Sequence, residues 1–169
     1  MNNNFIFRLI KETEKEEILK LYKSVQNEEN CVWNEYYPTI DEINHDYETN
    51  NLFVLEEGKE IIAAISIVPE NEMNEYEEWK HTNNTAEIAR VVVRKDKRGK
   101  GLSLFMLDEV CRILIKRNIM YIHLAVAIKN PAAIKNYIKY GFEIICEKEM
   151  YDNIYYLCEK NIGVIDGKN

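Results

Sequence analysis

Several features that would assign a functional class are missing from this sequence. Its four cysteines are scattered and form no CxxC pair, and its three histidines lie far apart. Neither a disulfide framework nor a zinc cluster is therefore expected. No apolar run approaches the length of a transmembrane helix, and no basic segment followed by an apolar stretch opens the chain. These absences favour a protein of the reducing cytoplasm, with no metal and no membrane partner.

An excess of basic residues is also missing. The formal net charge is -7, whereas proteins that bind nucleic acids carry a basic face. A nucleic-acid partner is therefore not expected. The acidic balance fits a cationic partner, but an acidic cytosolic protein with no such partner is the commoner case.

What the chain does contain is enough apolar residues for a core. Hydrophobic residues make up 46% and charged residues 30% of 169 residues, which is typical of one globular domain. No linker or internal repeat interrupts the sequence. We expect a single domain over residues 1–160 and a flexible tail over 161–169.

Hydrophobic periodicity predicts eleven elements in the order β-α-α-β-β-β-α-β-α-β-β. The strands are expected at residues 5–10, 52–56, 60–68, 87–93, 119–127, 142–151 and 154–159. Capping boxes of the form T-x-x-E, at Thr13 and Thr39, predict the starts of the first two helices. The third helix is expected from Gly99 to about 117 and the fourth from Asn130 to Gly141. This α/β order predicts a mixed sheet with helices on both faces.

Two short turns and one long loop complete this prediction. Tight turns are expected at Glu57-Gly58-Lys59 and at Asp152-Asn153, each closing a hairpin. The polar, acidic segment 69–84 is expected to be an exposed loop.

A glycine-containing basic turn follows the strand 87–93 and precedes the third helix. It reads Arg98-Gly99-Lys100-Gly101-Leu102-Ser103. Glycine lets the backbone approach a ligand, and the first amides of a helix point outward without partners. Together with the helix dipole, they make an anion site. A G-x-G pair alone is weak evidence, and an incidental basic helix start is the alternative.

This turn resembles the pyrophosphate motif R/Q-x-x-G-x-G/A of the GNAT superfamily of N-acetyltransferases. The flanking strand and amphipathic helix match that family as well. The motif departs from the pattern in two places, because Ser103 replaces the final Gly or Ala and Lys95 stands where Pro is common. The resemblance implies a GNAT-like fold, acetyl-CoA as donor, and binding of its diphosphate by residues 98–103.

A second segment is similar to the downstream signature N-x-x-A-x-x-x-Y-x-x-x-G-F of the same family. It runs from Asn130 to Phe142, and every fixed position is present. The resemblance thus covers residues 85–142. It implies that Asn130 and Asn136 contribute to the cofactor site and that Tyr137 lies beside the thioester sulfur. An N-cap Asn and a half-buried core Tyr are the alternatives from the residues alone.

Acetyl transfer to an amine requires a neutral amine, a polarised carbonyl and a protonated leaving group. The family implies that main-chain groups around Val91 and Val93 pair with pantetheine, and that Tyr137 protonates the departing thiolate. Glu87 is the candidate general base, although a solvated strand-start carboxylate is an equal alternative. A free Glu has a pKa of about 4.3, so burial would have to raise it. A covalent route through a cysteine is disfavoured.

The acceptor is expected to be a small-molecule amine. Carboxylates beside aromatic rings can hold an ammonium group, and the variable segments supply both, although a solvated acidic loop is the commoner alternative. The candidate acceptor-binding residues are Trp33, Tyr36, Tyr37 and Trp79. A protein or peptide N-terminal acetyltransferase and a non-catalytic CoA-binding sensor are the alternatives. A homodimer remains open.

Overall fold

The computed structural model describes residues 5–69 and 72–163. Its strands are β1 (Phe5–Leu9), β2 (Leu52–Glu57), β3 (Glu60–Val68), β4 (Thr85–Val93), β5 (Tyr121–Ala127), β6 (Glu143–Met150) and β7 (Asn153–Asn161). Its helices are α1 (Lys15–Lys23), α2 (Ile40–Glu48), α3 (Leu102–Lys116) and α4 (Pro131–Tyr140). The strands form one mixed sheet in the order β1-β2-β3-β4-β5-β7-β6. The predicted α/β element order is confirmed.

The chain divides into two compact units. The first comprises Met1–Ile67 and Ala89–Glu109, and the second comprises Val68–Ile88 and Val110–Asn169. Strand β4 and helix α3 contribute residues to both. The single domain over 1–160 stays a prediction, and residues 164–169 of the expected tail lie outside the described residues. Within the described ranges, no helix is long and apolar enough to cross a membrane.

The first unit contains the antiparallel strands β1, β2 and β3 and the helices α1 and α2. Its core is made of fully buried side chains from the helices, such as Ile18 and Ile43, and from β2, such as Leu52 and Val54. The β2–β3 turn is shorter than predicted, because Glu57 still pairs with Glu60 in the ladder. Its two turn residues, Gly58 and Lys59, have φ of 58° and 75°. Such backbone matches the twist of a two-residue hairpin.

One of the two predicted capping boxes is confirmed. At α2, Thr39 Oγ1 accepts from Asp41 N at 3.2 Å, and Glu42 Oε2 accepts from Thr39 N at 2.6 Å. The box at Thr13 is wrong. The contact between a glutamate and the main-chain amide three residues before it lies earlier in the chain, where Glu14 Oε2 accepts from Lys11 N at 2.8 Å.

The second unit is built around β5. Its first residues pair in parallel with Thr85–Glu87 of β4, and its whole length pairs antiparallel with β7. Strand β7 also forms a hairpin with β6. The turn of this hairpin lies one residue earlier than predicted, at Tyr151 and Asp152, since Asn153 pairs with Met150. Strand β7 continues to Asn161, past the predicted end.

The expectation of an exposed loop over 69–84 is only partly right. Most of its described side chains are exposed, but Trp79 is buried at 5% exposure. It packs in a cluster with Met150 and Leu157. Its indole Nε1 donates to the main-chain oxygen of Met73 at 2.7 Å. The large apolar ring therefore anchors an otherwise polar loop to the second unit.

Candidate functional site

The glycine turn of the first unit has the backbone that the anion-site prediction requires. Gly99 and Gly101 have φ of 77° and 72°, in the left-handed region, and nothing lies within 4 Å of a Cβ built on either. A side chain would strain the backbone here. Helix α3 begins at Leu102, so the predicted start at Gly99 is corrected: both glycines precede the helix.

Two of the four basic side chains at this turn and just before it are already paired with carboxylates. Arg98 donates to both oxygens of Glu28 at 2.7 and 3.0 Å, and its Nε donates to Val93 O at 3.0 Å. Lys97 is 2.5 Å from Glu57. Within the described residues, Lys95 and Lys100 make no hydrogen bond or ion pair. The positive charge that the turn can offer an anion is therefore smaller than its composition suggests.

The turn nevertheless fits a diphosphate. The first amides of α3, at Leu102 and Ser103, have no acceptor inside the helix, and the helix dipole places partial positive charge there. Space is open at both glycines, and the exposed ammonium of Lys100 lies between them in sequence. Main-chain amides at a helix start, here with an exposed lysine beside them, are a common arrangement for phosphate binding.

The two valines proposed to pair with the coenzyme end strand β4. Val91 and Val93 are both half-buried. They follow Arg90, whose φ is 50° and which therefore interrupts the extended backbone of the strand. Both valines and the glycine turn belong to the first unit.

The downstream signature forms helix α4 of the second unit. Asn130 caps it, since its Oδ1 accepts from Ala133 N at 3.1 Å, and Pro131 occupies the first turn. Gly141 ends it with φ of 103°. Asn136 is exposed on the helix. These local predictions are confirmed, while the cofactor roles of Asn130 and Asn136 stay predictions.

Tyr137 is half-buried on α4, and its ring packs edge-on against Phe142 at 5.6 Å between centroids. Burial, with a smaller contribution from Cys158, raises the pKa of Tyr137 to about 12. The phenol therefore stays protonated at physiological pH, which is the form that can donate a proton.

Glu87, the candidate base, is half-buried on β4 and lies in register with His123 of β5. In the ladder between β5 and β7, His123 in turn lies opposite Glu159. Register partners point to the same face of a sheet, so a polar row crosses three strands. All three residues belong to the second unit.

This polar row was not predicted from the sequence. Glu159 Oε2 is 2.9 Å from His123 Nε2, and Glu159 Oε1 is 2.7 Å from His81 Nδ1. Trp79 stacks on His123 with centroids 3.9 Å apart. Burial lowers the pKa of His123, while Glu159 opposes that effect. A histidine inside an otherwise apolar strand, YIHLAVA, is the signal that could have indicated the cluster.

The candidate acceptor-binding residues fall into different environments. Trp33 is half-buried and edge-on to Tyr22, Tyr36 is 79% exposed, and Tyr37 accepts from Arg90 Nη1 at 3.0 Å. These three aromatic residues lie in the first unit and Trp79 in the second. The buried pair of Arg90 and Asp46 was also missed, although Arg90 is a charged residue in an apolar strand.

Comparison with known proteins gives the family that the two sequence motifs resemble, the GNAT family. The model of the acetyltransferase (GNAT) family matches residues 17–142. No curated protein matches the sequence.

Solved structures share the fold at low identity. A Salmonella typhimurium protein with its cofactor acetyl-CoA superposes with a TM-score of 0.76 at 15% identity, covering 98% of each chain. A ribosomal-protein-alanine N-acetyltransferase from Brucella melitensis gives 0.73 at 18%, covering 92% of this chain and 99% of that one. Spermidine N-acetyltransferase from Vibrio cholerae, with CoA and spermine, gives 0.71 at 18%, covering 95% and 96%. With a family model matching more than half of its length, the chain belongs to the GNAT family and is an acetyl-CoA-dependent N-acetyltransferase.

Proposed function

We propose that this enzyme moves the acetyl group directly to a primary amine of a small molecule, in a ternary complex of enzyme, acetyl-CoA and amine. The observation that carries the donor side is the left-handed backbone of Gly99 and Gly101 immediately before α3. When bound, acetyl-CoA supplies an activated thioester. The protein must then orient that thioester, remove a proton from the amine and donate a proton to the departing thiolate.

Donor binding is assigned to main-chain groups. The amides of residues 99–103 and the ammonium of Lys100 hold the diphosphate, and the main chain of Val91 and Val93 pairs with pantetheine. Arg98 acts indirectly, because its contacts with Glu28 and Val93 fix the entry to the turn. Asn130 and Asn136 contribute contacts from α4.

Proton transfer is assigned to Glu87 and Tyr137. An alkylamine with a pKa of about 10.4 must lose a proton, which costs roughly 4 to 5 kcal/mol at pH 7. Glu87 removes this proton directly or through water, and Tyr137 donates its phenolic proton to the departing thiolate. The pKa of Tyr137, about 12, keeps the phenol protonated at neutral pH but makes it a weak acid. It also requires that donation be concerted with C–S cleavage, since a free phenol would not protonate a thiolate.

A cationic amine is the acceptor class that the second unit supports. A surface cavity of about 430 Å³ is lined by Glu75, Tyr76, Glu77, Glu78 and Lys148. Lys148 is paired with Glu78, and its ammonium lies 4.4 Å from the ring centroid of Tyr76. This segment thus already holds one alkylammonium group by charge and cation–π contact. The Vibrio cholerae structure contains spermine, which is consistent with a polyamine.

The N-terminus of a protein is the second candidate acceptor, and the Brucella melitensis relative favours it. Calorimetry with acetyl-CoA, followed by release of CoA thiol in the presence of polyamines, amino acids, aminoglycosides and short peptides, distinguishes the two acceptors. Release with a small amine but not with peptides supports the proposal. Release with peptides alone contradicts it.

A further inference from the structure

Arg90 has an unusual backbone for its place in the fold. Side chains disfavour positive φ, because Cβ then approaches the neighbouring carbonyl oxygen. The other described non-glycine residues with positive φ lie in turns or beside element ends: Asn50, Lys59, Asn84, Asn118, Tyr151 and Asp152. Arg90, with φ of 50°, lies inside a strand. Something other than turn formation must therefore hold it there.

The side chain of Arg90 is held by a two-point contact with Asp46. Arg90 Nε donates to Asp46 Oδ2 at 2.9 Å, and Nη2 donates to Oδ1 at 2.8 Å. The remaining Nη1 donates to the hydroxyl of Tyr37 at 3.0 Å. A planar guanidinium in such a fork cannot rotate or slide without losing a bond, so the contact fixes orientation as well as distance.

Asp46 is itself buried and held by further contacts. It is 1% exposed, and its Oδ2 also accepts from Ser66 Oγ at 2.6 Å. Its main-chain oxygen accepts from Asn51 N at 2.8 Å. Burial alone would lower the pKa of Arg90, but its interactions with Tyr37 and Asp46 raise that pKa above its ordinary value, so the guanidinium stays charged. The two hydrogen bonds between Arg90 and Asp46 therefore fix one residue of β4 to helix α2.

The direction of the main chain after Arg90 depends on this anchor. If residue 90 relaxed to the extended region, every amide and carbonyl from Val91 to Val93 would turn. We propose that Asp46 and Arg90 are positioning residues, whose ion pair holds the left-handed backbone at residue 90 and thereby aims the main chain of Val91–Val93 at pantetheine. This inference rests on the proposed role of that segment in donor binding.

Two double variants separate the backbone effect from the loss of the ion pair. Asp46→Asn/Arg90→Gly and Asp46→Asn/Arg90→Ala both remove both charges, but only glycine adopts positive φ freely. We expect the glycine variant to bind acetyl-CoA within roughly threefold of wild type by calorimetry. We expect the alanine variant to bind about tenfold more weakly, since the left-handed conformation costs alanine that much. Arg8→Ala, which removes another arginine–carboxylate contact of the first unit, is the control for stability loss alone.

A second ligand tests which part of the coenzyme is affected. Adenosine 3′-phosphate 5′-diphosphate carries the diphosphate but no pantetheine, so its affinity should be equal in wild type and both double variants. If the alanine variant lost affinity equally for both ligands, the ion pair would have a general structural role and the proposal would be overturned. Should the alanine variant not fold, Asp46→Asn alone replaces it. Adding Arg90→Gly to that variant must then restore acetyl-CoA affinity, and failure to restore it overturns the proposal.

The controls also separate this inference from the proposed function. If wild type binds acetyl-CoA and the two double variants bind it equally, only the positioning role is wrong. If wild type does not bind acetyl-CoA, the assignment of the donor site is wrong, and the positioning role falls with it.

Discussion

Glu159 lies directly opposite His123 on the neighbouring strands β7 and β5, and its carboxylate is 2.9 Å from the imidazole Nε2. His123 is 2% exposed, and burial lowers its pKa despite this carboxylate. The neutral imidazole is therefore favoured in the folded protein. The other titratable side chain at this pair is that of His81, whose Nδ1 is 2.7 Å from Glu159 Oε1.

This relationship predicts how stability depends on pH. Because the folded pKa of His123 is below the unfolded value of about 6.5, its contribution is present above that pH and is lost as the pH falls. The free energy of unfolding of wild type should fall more between pH 7.5 and 5.5 than that of His123→Gln. Urea titrations at both pH values, followed by tryptophan fluorescence, measure the difference. His45→Gln, at an exposed histidine, is the control, and equal slopes in wild type and His123→Gln would contradict the prediction.

Gly101→Ala should weaken coenzyme binding by about tenfold or more. Alanine at φ of 72° costs about 1 to 2 kcal/mol and turns the amides that precede α3. Gly58→Ala is a matched control, because Gly58 is also left-handed and also has open space at its Cβ. Both variants should lose similar stability in thermal melts, but only Gly101→Ala should lose acetyl-CoA affinity in calorimetry. Similar losses of affinity in both would argue against the glycine turn as the diphosphate site.

Tyr137→Phe should bind acetyl-CoA normally and turn over at least about tenfold more slowly, because it lacks the phenolic proton. The wild-type rate should also show no alkaline decline from Tyr137 below its pKa of about 12. Stopped assays of CoA release between pH 7 and 10 measure both effects. Normal turnover by Tyr137→Phe would mean that the leaving thiolate is protonated by another group.

Glu87→Gln should lower turnover by about 100-fold at neutral pH. Its rate should recover as the pH approaches the pKa of the acceptor amine, because the neutral amine then forms without a base. Glu143→Gln provides the comparison, since Glu143 is an exposed carboxylate paired with Lys80 in the same unit. A Glu87→Gln profile parallel to that of wild type would show that another group or water is the base.

The local elements were predictable because their signals lie within a few residues. Thr39 and Glu42 form the capping box that begins α2. Asn130 and Pro131 begin α4, and Gly141 ends it. The capping box predicted at Thr13 was wrong although its competitors are also local: Glu14 accepts from Lys11 N and from Arg8 instead.

The sequence by itself determined the order of helices and strands, the glycine turn and the signature on α4, since each depends on backbone preferences of neighbouring residues. Only the tertiary structure decided which charges are engaged. It paired Arg98 with Glu28 across 70 positions of sequence, Arg90 with Asp46 across 44, and His123 with Glu159 across 36. No local pattern encodes such pairs, because a side-chain contact depends on which surfaces meet when the strands and helices pack.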